Sequence, residues 1–261
     1  MRQKLLYKNE QTLSYAEYGD RKEYPILIQH GLIASIEDVQ LFDRLIHAGK
    51  RLICIARPGY SESSPYEMKS FAEWAEIVSL LVDELHLSQF DVLGMSSGAP
   101  YSYALGSGLP DKVNNIYIFS GIPALYDEIV LSHWPYEIAE DKSISNMERL
   151  AYELFFSHFT DTDLQKSDIR DSMMHHGFGV AQDLRLRFID WGFSLSEIKA
   201  KVFMQHSQCD EAVPFQTAIR TSQLLPNCDL ELKETGPHFS AEALDYFIEK
   251  TMLKDLEAST N

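Results

Sequence analysis

The chain has 261 residues, of which 45% are hydrophobic and 11% aromatic, a composition that indicates one packed domain rather than a disordered chain. With 39 acidic and 23 basic residues its net charge is −16, which disfavours nucleic acids and anionic membrane surfaces as partners. No apolar run approaches the ~18 residues of a membrane span, and the N-terminal stretch lacks the apolar segment of a secretory signal.

The first 120 residues alternate short apolar runs with helical patterns, which predicts a mostly parallel sheet flanked by helices. The predicted strands are an opening hairpin at 5–7 and 13–17, followed by 25–29, 51–56, 90–93 and 113–119. Helices are predicted at 39–46, 70–85 and 101–109. Ser70 and Glu73 have the spacing of a capping box, which would begin the second of these helices.

The pattern changes after residue 120, because residues 121–199 are helical in character and contain no convincing strand. Strands are predicted again at 202–204 and 230–232, each followed by a helix, at 215–225 and 240–256. We therefore predict that residues 1–120 and 200–261 form one core domain and that residues 121–199 are inserted into it as a helical cap. The cap is rich in aromatic residues, and we expect a few of them to line an apolar substrate pocket.

A reactive serine is indicated by the segment Gly94-Met95-Ser96-Ser97-Gly98, which follows a predicted strand and precedes a predicted helix. In a G-x-S-x-G pattern of this kind the middle serine occupies a sharp turn, and the glycines let the chain pass close to its neighbours. The N–H of Ser97 would begin the next helix, where backbone donors face an anion. We predict Ser96 as the nucleophile, Ser97 as an oxyanion donor, and Gly94 and Gly98 as support.

A serine hydroxyl needs a base to take its proton and an acid to orient that base. Asp210 follows the predicted strand 202–204, and His238 follows the predicted strand 230–232. The carboxyl ends of parallel strands meet at one edge of a sheet, so these side chains can approach Ser96. We predict Asp210 as the acid and His238 as the base, in the chain order serine, acid, histidine.

Other residues compete for these roles. Glu211 adjoins the predicted acid, and Asp127 follows the strand 113–119, a position where some members of the family that this chain resembles, named below, carry the acid. His206 is the other histidine near a late strand end, and we expect it to cap its strand or line the loop beneath Asp210. The adjacent His175 and His176 invite a metal interpretation, but neighbouring side chains on a helix point ~100° apart and cannot readily share an ion.

A second oxyanion donor should come from the loop after the strand 25–29, which contains His30-Gly31-Leu32. Gly31 allows a close approach of the backbone, so the N–H of Leu32 is the predicted donor. We expect His30 to support this loop rather than to act as an acid or base.

Together these segments resemble the α/β-hydrolase superfamily over essentially the whole chain. The matching segments are His30-Gly31, the Arg57-Pro58-Gly59 loop through Ser63, the serine turn at 94–98, the D-x-x-V-P segment at 210–214 and Gly236-Pro237-His238. The resemblance implies an eight-stranded, mostly parallel sheet with a helical cap after strand six. Ala56 and Ser61 depart from the aspartate and glycine that are frequent in the family's loop. The short His-Gly loop argues against the H-G-G-G esterases, and a serine at the turn argues against the epoxide hydrolases and dehalogenases.

These observations predict a serine hydrolase that cleaves a small to medium carboxylic ester or lactone with an apolar acyl part, without a cofactor or metal. Hydrolysis of a carbon–carbon bond and perhydrolysis use the same triad and are enzymatic alternatives; a ligand receptor with little turnover is an alternative of another class. Three cysteines without paired or metal-ligand spacing favour a cytoplasmic location. The sequence leaves the oligomeric state open, with a homodimer among the options.

Overall fold

The computed structural model describes residues 2–258. Residues 1 and 259–261, which the sequence analysis assigned to the core domain, lie outside the described residues. Within these residues eight strands form one sheet: β1 (Arg2–Tyr7), β2 (Gln11–Tyr18), β3 (Pro25–Gln29), β4 (Arg51–Ile55), β5 (Phe90–Met95), β6 (Val113–Phe119), β7 (Lys201–Ser207) and β8 (Cys228–Lys233). Their spatial order is β1-β2-β4-β3-β5-β6-β7-β8. The pairs β1–β2 and β2–β4 are antiparallel and the other pairs are parallel, so the predicted fold class is confirmed.

Helices cover both faces of this sheet. They are α1 (Asp43–His47), α2 (Ala72–Glu84), α3 (Gly98–Gly108), α4 (Glu128–Ser132), α5 (Ile144–Ala151), α6 (Ser167–Leu186), α7 (Phe215–Gln223), α8 (Ala241–Phe247) and α9 (Lys254–Ala258). Alternate residues of β6 enter two different cores: Ile116 and Ile118 belong to the core beneath α2 and α3, and Tyr117 and Phe119 to the core beneath α8. Burial on both faces explains why the central strands are continuously apolar.

The predicted capping box of α2 is wrong. The helix begins at Ala72, and no side chain caps it. Instead the Ala72 N–H donates to the carbonyl of Trp191 at 3.0 Å, and the Glu73 carboxylate accepts from the Tyr66 hydroxyl at 3.1 Å. A tertiary contact with Trp191 therefore satisfies a backbone donor at the start of α2, where the sequence pattern had predicted a local cap by Ser70.

Between β6 and β7 the described chain is helical, with α4, α5, α6 and short 3-10 and π-helical turns and no strand. Helix α6 is kinked, because Met174 is extended and His175, His176 and Gly177 have left-handed φ values of 54°, 61° and 76°. The sequence interpretation assumed that the two histidines lie on one regular helix, and this assumption is wrong. The insertion boundaries at 121 and 199 stay a prediction. None of the described helices combines the length and the apolar character that a membrane crossing requires.

Ser61 stands at one of the family's glycine positions and adopts a backbone conformation that favours glycine. Its φ is 50°, and its hydroxyl is buried without a hydrogen-bond partner among the described residues. A left-handed conformation costs a residue with a Cβ about 1–2 kcal/mol. Ser63, two residues on, differs because its hydroxyl donates to Ala56 O at 2.7 Å and accepts from Ser14 N at 2.8 Å.

We expect Ser61→Gly to raise the free energy of unfolding by about 1 kcal/mol, since relief of the backbone outweighs the added freedom of the unfolded chain. Equilibrium denaturation measures this change. The control Ser63→Ala loses two buried hydrogen bonds and should be destabilised. An unchanged or lower stability of Ser61→Gly would contradict the strain argument.

A buried carboxylate lies at the opposite end of the sheet from the predicted site. Asp91 in β5 is inaccessible to solvent; one oxygen accepts from the Tyr24 hydroxyl and the Asn115 N–H, and the other has no partner among residues 2–258. Burial raises the pKa of Asp91 from its ordinary value of 3.8 to about 6. The folded protein therefore binds this proton more tightly than the unfolded chain, so stability falls as the pH rises from about 4 to about 6, and the penalty is complete above about 6.

For Asp91→Asn we expect a gain in stability over the wild type that grows by about 3 kcal/mol between pH 4 and pH 8, the equivalent of a two-unit shift. Below pH 4 both states of the wild type are protonated at this site, so the charge penalty is absent. Unfolding of the two proteins at matched pH values isolates this group, because all other titrations cancel. A difference that does not depend on pH would refute the assignment.

Candidate active site

Ser96 lies in a sharp turn between β5 and α3. Its φ is 48°, a left-handed value that a serine adopts only under constraint. A Cβ on Gly98 would lie 2.1 Å from the carbonyl oxygen of Gln29, and a Cβ on Gly94 would lie 2.2 Å from the Ser102 hydroxyl. Both glycines are therefore required for α3 to pack against the end of β3 and against its own strand.

The backbone around Ser96 is held from both sides. Its N–H donates to Phe119 O at 3.0 Å, and its carbonyl accepts from Ala99 N at 3.1 Å and from Ile122 N at 2.9 Å. These bonds tie the turn to the end of β6 and to the start of α3, and so hold a conformation that serine would not adopt alone. The side chain consequently stands at the carboxyl edge of the sheet, partly exposed.

The structure brings Ser96, His238 and Asp210 into one hydrogen-bonded chain. The Ser96 Oγ lies 2.9 Å from His238 Nε2, and His238 Nδ1 lies 2.7 Å from Asp210 Oδ2. Asp210 follows β7 and His238 follows β8, so three strand ends contribute one residue each. Because a carboxylate accepts from Nδ1–H, Nε2 is left as the acceptor for the serine hydroxyl. This arrangement can draw a proton from Ser96 during attack on a carbonyl.

Asp210 is held as an anion. Burial raises its pKa, but hydrogen bonds from His206 and His238, the charge of His238 and the Val213 N–H together outweigh burial and hold the pKa well below its ordinary range. The other carboxylate oxygen, Oδ1, accepts from the backbone N–H groups of Ala212 at 2.9 Å and Val213 at 2.8 Å. The D-x-x-V-P segment thus wraps its own backbone around the acid.

The competing acids have other roles. Asp127 accepts from the first N–H groups of α4 and pairs with Arg220 at 2.8 Å, so its carboxylate is used to cap a helix. Glu211 is adjacent to Asp210, but the Nδ1 of His238 contacts Asp210. His206 lies beneath the acid, with its Nε2 3.2 Å from Asp210 Oδ2.

The His30-Gly31-Leu32 loop is held by Arg57. The Arg57 guanidinium donates to His30 O at 2.6 Å and to Gly31 O at 2.9 Å, and the Tyr60 hydroxyl donates to Leu32 O at 2.9 Å. The N–H of Leu32 and the carbonyl of Gly31 share one trans peptide and point in opposite directions. Since that carbonyl faces Arg57, the Leu32 N–H faces away from it.

The two backbone donors that the sequence predicted for an oxyanion are the N–H groups of Leu32 and Ser97. Among the described residues, neither the Leu32 N–H nor the Ser97 N–H has a protein acceptor. No described atom lies within 4 Å of the position that a Cβ on Gly31 would take, so this glycine keeps space open rather than permitting a close contact inside the protein. The arrangement has the donors that an oxyanion would require.

His30 supports this loop. Its Nδ1 lies 2.8 Å from Gly31 O, and its Nε2 accepts from the Arg57 N–H at 3.5 Å. Burial first, and the neighbouring guanidinium second, lower the pKa of His30 well below its ordinary value. A neutral ring with its proton on Nδ1 satisfies both contacts.

Sequence reasoning missed a buried polar network between α6 and the core. Asp183 of α6 accepts from Arg57 at 2.6 Å and from the Tyr101 hydroxyl at 2.6 Å, and it lies 3.0 Å from the Tyr60 hydroxyl, whose single hydrogen is shared between Asp183 and Leu32 O. Arg187, one turn later, is also buried and donates to the Ser97 hydroxyl. The spacing of Asp183 and Arg187, four residues apart beside an apolar stripe, was the available signal.

The network of Arg57, Asp183 and Arg187 contains two guanidinium groups and one carboxylate, and so has an excess positive charge. Burial lowers the pKa of Arg187, and the nearby carboxylate of Asp183 opposes this effect. Within the described residues Arg187 has no carboxylate in ion-pair contact, because Arg57 holds Asp183. A positive charge is therefore buried next to the residue that follows Ser96.

Comparison with known proteins identifies the same fold from sequence and from structure. The sequence model of the alpha/beta hydrolase fold matches residues 24–243. An uncharacterized hydrolase of Bacillus subtilis, YcgS, is 31% identical over 42% of this chain and 38% of its own length. A 2-hydroxy-6-oxononadienedioate/2-hydroxy-6-oxononatrienedioate hydrolase of Pseudomonas putida is 24% identical over 88% of this chain and 86% of its own. An esterase of Exiguobacterium antarcticum, 18% identical, shares the fold with a TM-score of 0.72 over 100% and 99% of the two chains.

The geometry distinguishes the two aspartates that the sequence offered as the acid. We expect Asp210→Asn to slow reaction of Ser96 with a fluorophosphonate by ~10³- to 10⁴-fold, because an amide cannot hold His238 in the required tautomer. Asp127→Asn keeps a cap for α4 and should react within ~2-fold of the wild-type rate. Time-resolved intact-mass measurement gives both rates. The reverse ranking would assign the acid to Asp127.

Proposed function

This chain belongs to the α/β-hydrolase fold family, and from that membership we propose that it is a serine hydrolase that cleaves a small to medium carboxylic ester or lactone. The observation that carries this proposal is the hydrogen-bonded chain from Ser96 through His238 to Asp210, which is called the relay below. Each member follows a strand, and the two contacts of 2.9 Å and 2.7 Å lie within the hydrogen-bond reach that a general base needs.

The reaction follows from these contacts. Ser96 Oγ attacks the carbonyl carbon while His238 Nε2 takes its proton, and Asp210 stabilises the resulting imidazolium. The N–H groups of Leu32 and Ser97 bind the oxyanion of the tetrahedral intermediate. His238 returns its proton to the departing alkoxide, leaving an acyl group on Ser96. Water, activated by His238, then releases the carboxylic acid and restores the serine.

A second candidate is hydrolysis of a carbon–carbon bond beside a ketone. The Pseudomonas putida relative carries a name that specifies a substrate with a ketone and two carboxylates. Arg187 favours this candidate, because a buried guanidinium without a carboxylate partner suits an anionic substrate group near the reacting carbonyl. The relay at Ser96 is compatible with either bond.

Covalent labelling tests the reactive serine. A small fluorophosphonate should form one adduct on Ser96, identified by intact mass and peptide mapping, and the adduct should be absent in Ser96→Ala and His238→Ala. A labelled wild type then justifies two substrate series, p-nitrophenyl esters of graded acyl length and a 2-hydroxy-6-oxo-2,4-dienoate. Turnover of the first series alone supports the ester, and faster turnover of the second supports the carbon–carbon bond. A folded wild type without an adduct would refute the relay.

The charge of Arg187 gives a separate prediction. For an ester whose acyl chain ends in a carboxylate, such as p-nitrophenyl hydrogen glutarate, we expect Arg187→Gln to raise KM by ~10- to 100-fold, the range for a lost charged hydrogen bond. For the neutral p-nitrophenyl valerate, of the same chain length, the change should stay within ~3-fold, because glutamine can still donate to Ser97. Steady-state kinetics on both esters gives the comparison. An equal change for both substrates would show that Arg187 acts only on the structure of the turn.

A further inference from the structure

A second histidine contacts the acid of the relay. His206 precedes the last residue of β7 and is 1% exposed. Its Nε2 lies 2.9 Å from the carbonyl oxygen of Val213 and 3.2 Å from Asp210 Oδ2. A carbonyl oxygen can only accept, so Nε2 must carry a hydrogen, and this hydrogen lies between the two oxygens.

The opposite side of the ring fixes its protonation. The Nδ1 atom of His206 is buried and has no hydrogen-bond partner among residues 2–258. A proton on Nδ1 would therefore be buried without an acceptor, which is costly in a protein interior. The ring is consequently neutral, with its single N–H directed at Val213 and Asp210.

This N–H completes the set of donors around Asp210. One carboxylate oxygen accepts from the N–H groups of Ala212 and Val213, and the other accepts from His238 and His206. The four donors lie on both oxygens and so prevent rotation of the carboxylate. The contact from His206 is longer than the 2.7 Å contact from His238, and its hydrogen is shared with Val213. It therefore restrains the oxygen without displacing His238.

We propose that His206 is a positioning residue, whose neutral N–H holds the Asp210 carboxylate in the plane that aims it at His238. The proposal rests on the proposed function, because it acts through the same relay. It assigns no contact with substrate to His206. Its chemical requirement is a hydrogen-bond donor at the Nε2 position, rather than an imidazole as such.

Two variants separate the donor from the shape of the side chain. His206→Leu has a similar apolar volume without a donor, and His206→Gln can bring an amide N–H to the same place. We expect the leucine variant to react with a fluorophosphonate ~10- to 100-fold more slowly, because a small misalignment of catalytic groups has an effect of this size. The glutamine variant should stay within ~5-fold of the wild type. With an ester substrate the loss should lie in kcat, and KM should change less than ~3-fold.

A proton NMR spectrum of the resting protein provides a readout that needs no substrate. The hydrogen between His238 and Asp210 should give a low-field resonance, assigned by its loss in His238→Ala. This resonance should persist in His206→Gln and should broaden or move upfield in His206→Leu. If the leucine variant does not fold, His206→Asn takes its place, since its shorter amide does not reach Asp210.

The outcomes distinguish failure of the positioning role of His206 from failure of the proposed function. A wild-type rate and resonance in His206→Leu would overturn the positioning role, and so would an equal loss in the leucine and glutamine variants, which would indicate a requirement for shape. A wild-type protein that forms no adduct on Ser96 would instead overturn the proposed function. The resonance would still decide whether His206 positions the carboxylate.

Discussion

A fully buried guanidinium cannot be left without partners, and Arg57 is such a group. Its burial by itself lowers the pKa of Arg57, but the Asp183 carboxylate and the neighbouring tyrosines raise it, so the side chain stays charged. The guanidinium donates to Asp183 and to the carbonyls of His30 and Gly31. Because these carbonyls are turned toward Arg57, the Leu32 N–H is turned away from it. The proposed oxyanion donor therefore follows from the solvation of one buried cation.

This requirement links the helical segment between β6 and β7 to the loop after β3. Asp183 lies on α6, between β6 and β7, whereas Arg57 lies in the loop after β4. The same carboxylate also accepts from Tyr60 and Tyr101, and Tyr60 in turn holds the carbonyl of Leu32. Loss of Asp183 would leave Arg57 buried and unpaired, and the loop would lose its donors together with its ion pair. Helix α6 thus contributes a residue to the network that holds the His30-Gly31-Leu32 loop.

The sequence could predict those features that depend on local pattern and chain order. Apolar runs with turn residues predicted the strands, and the segment around Ser96 predicted the turn, because only glycine fits at positions 94 and 98. Asp210 and His238 could be found because parallel strands bring their ends to one edge. Asp183 could not be paired with Arg57, since 126 residues separate the two and the spacing of Asp183 from Arg187 does not identify the partner of the carboxylate. The prediction of a capping box at Ser70 was wrong for a similar reason, because the carbonyl of the distant Trp191 accepts from the Ala72 N–H at the start of α2.

The net charge of the chain and the charge at the site point to different ligands. A net charge of −16 would repel an anion at long range, but surface charges are screened over ~8 Å in physiological salt. Arg57 is buried in an ion pair with Asp183, whereas Arg187 is buried next to Ser97 without a carboxylate in ion-pair contact among the described residues, and buried charges are screened far less than surface charges. The second guanidinium is held by the Ser97 hydroxyl, a neutral partner that does not cancel its charge. The proposed preference for a substrate carboxylate therefore rests on Arg187 alone, since Asp183 balances the charge of Arg57 and Asp210 is an anion in the same site.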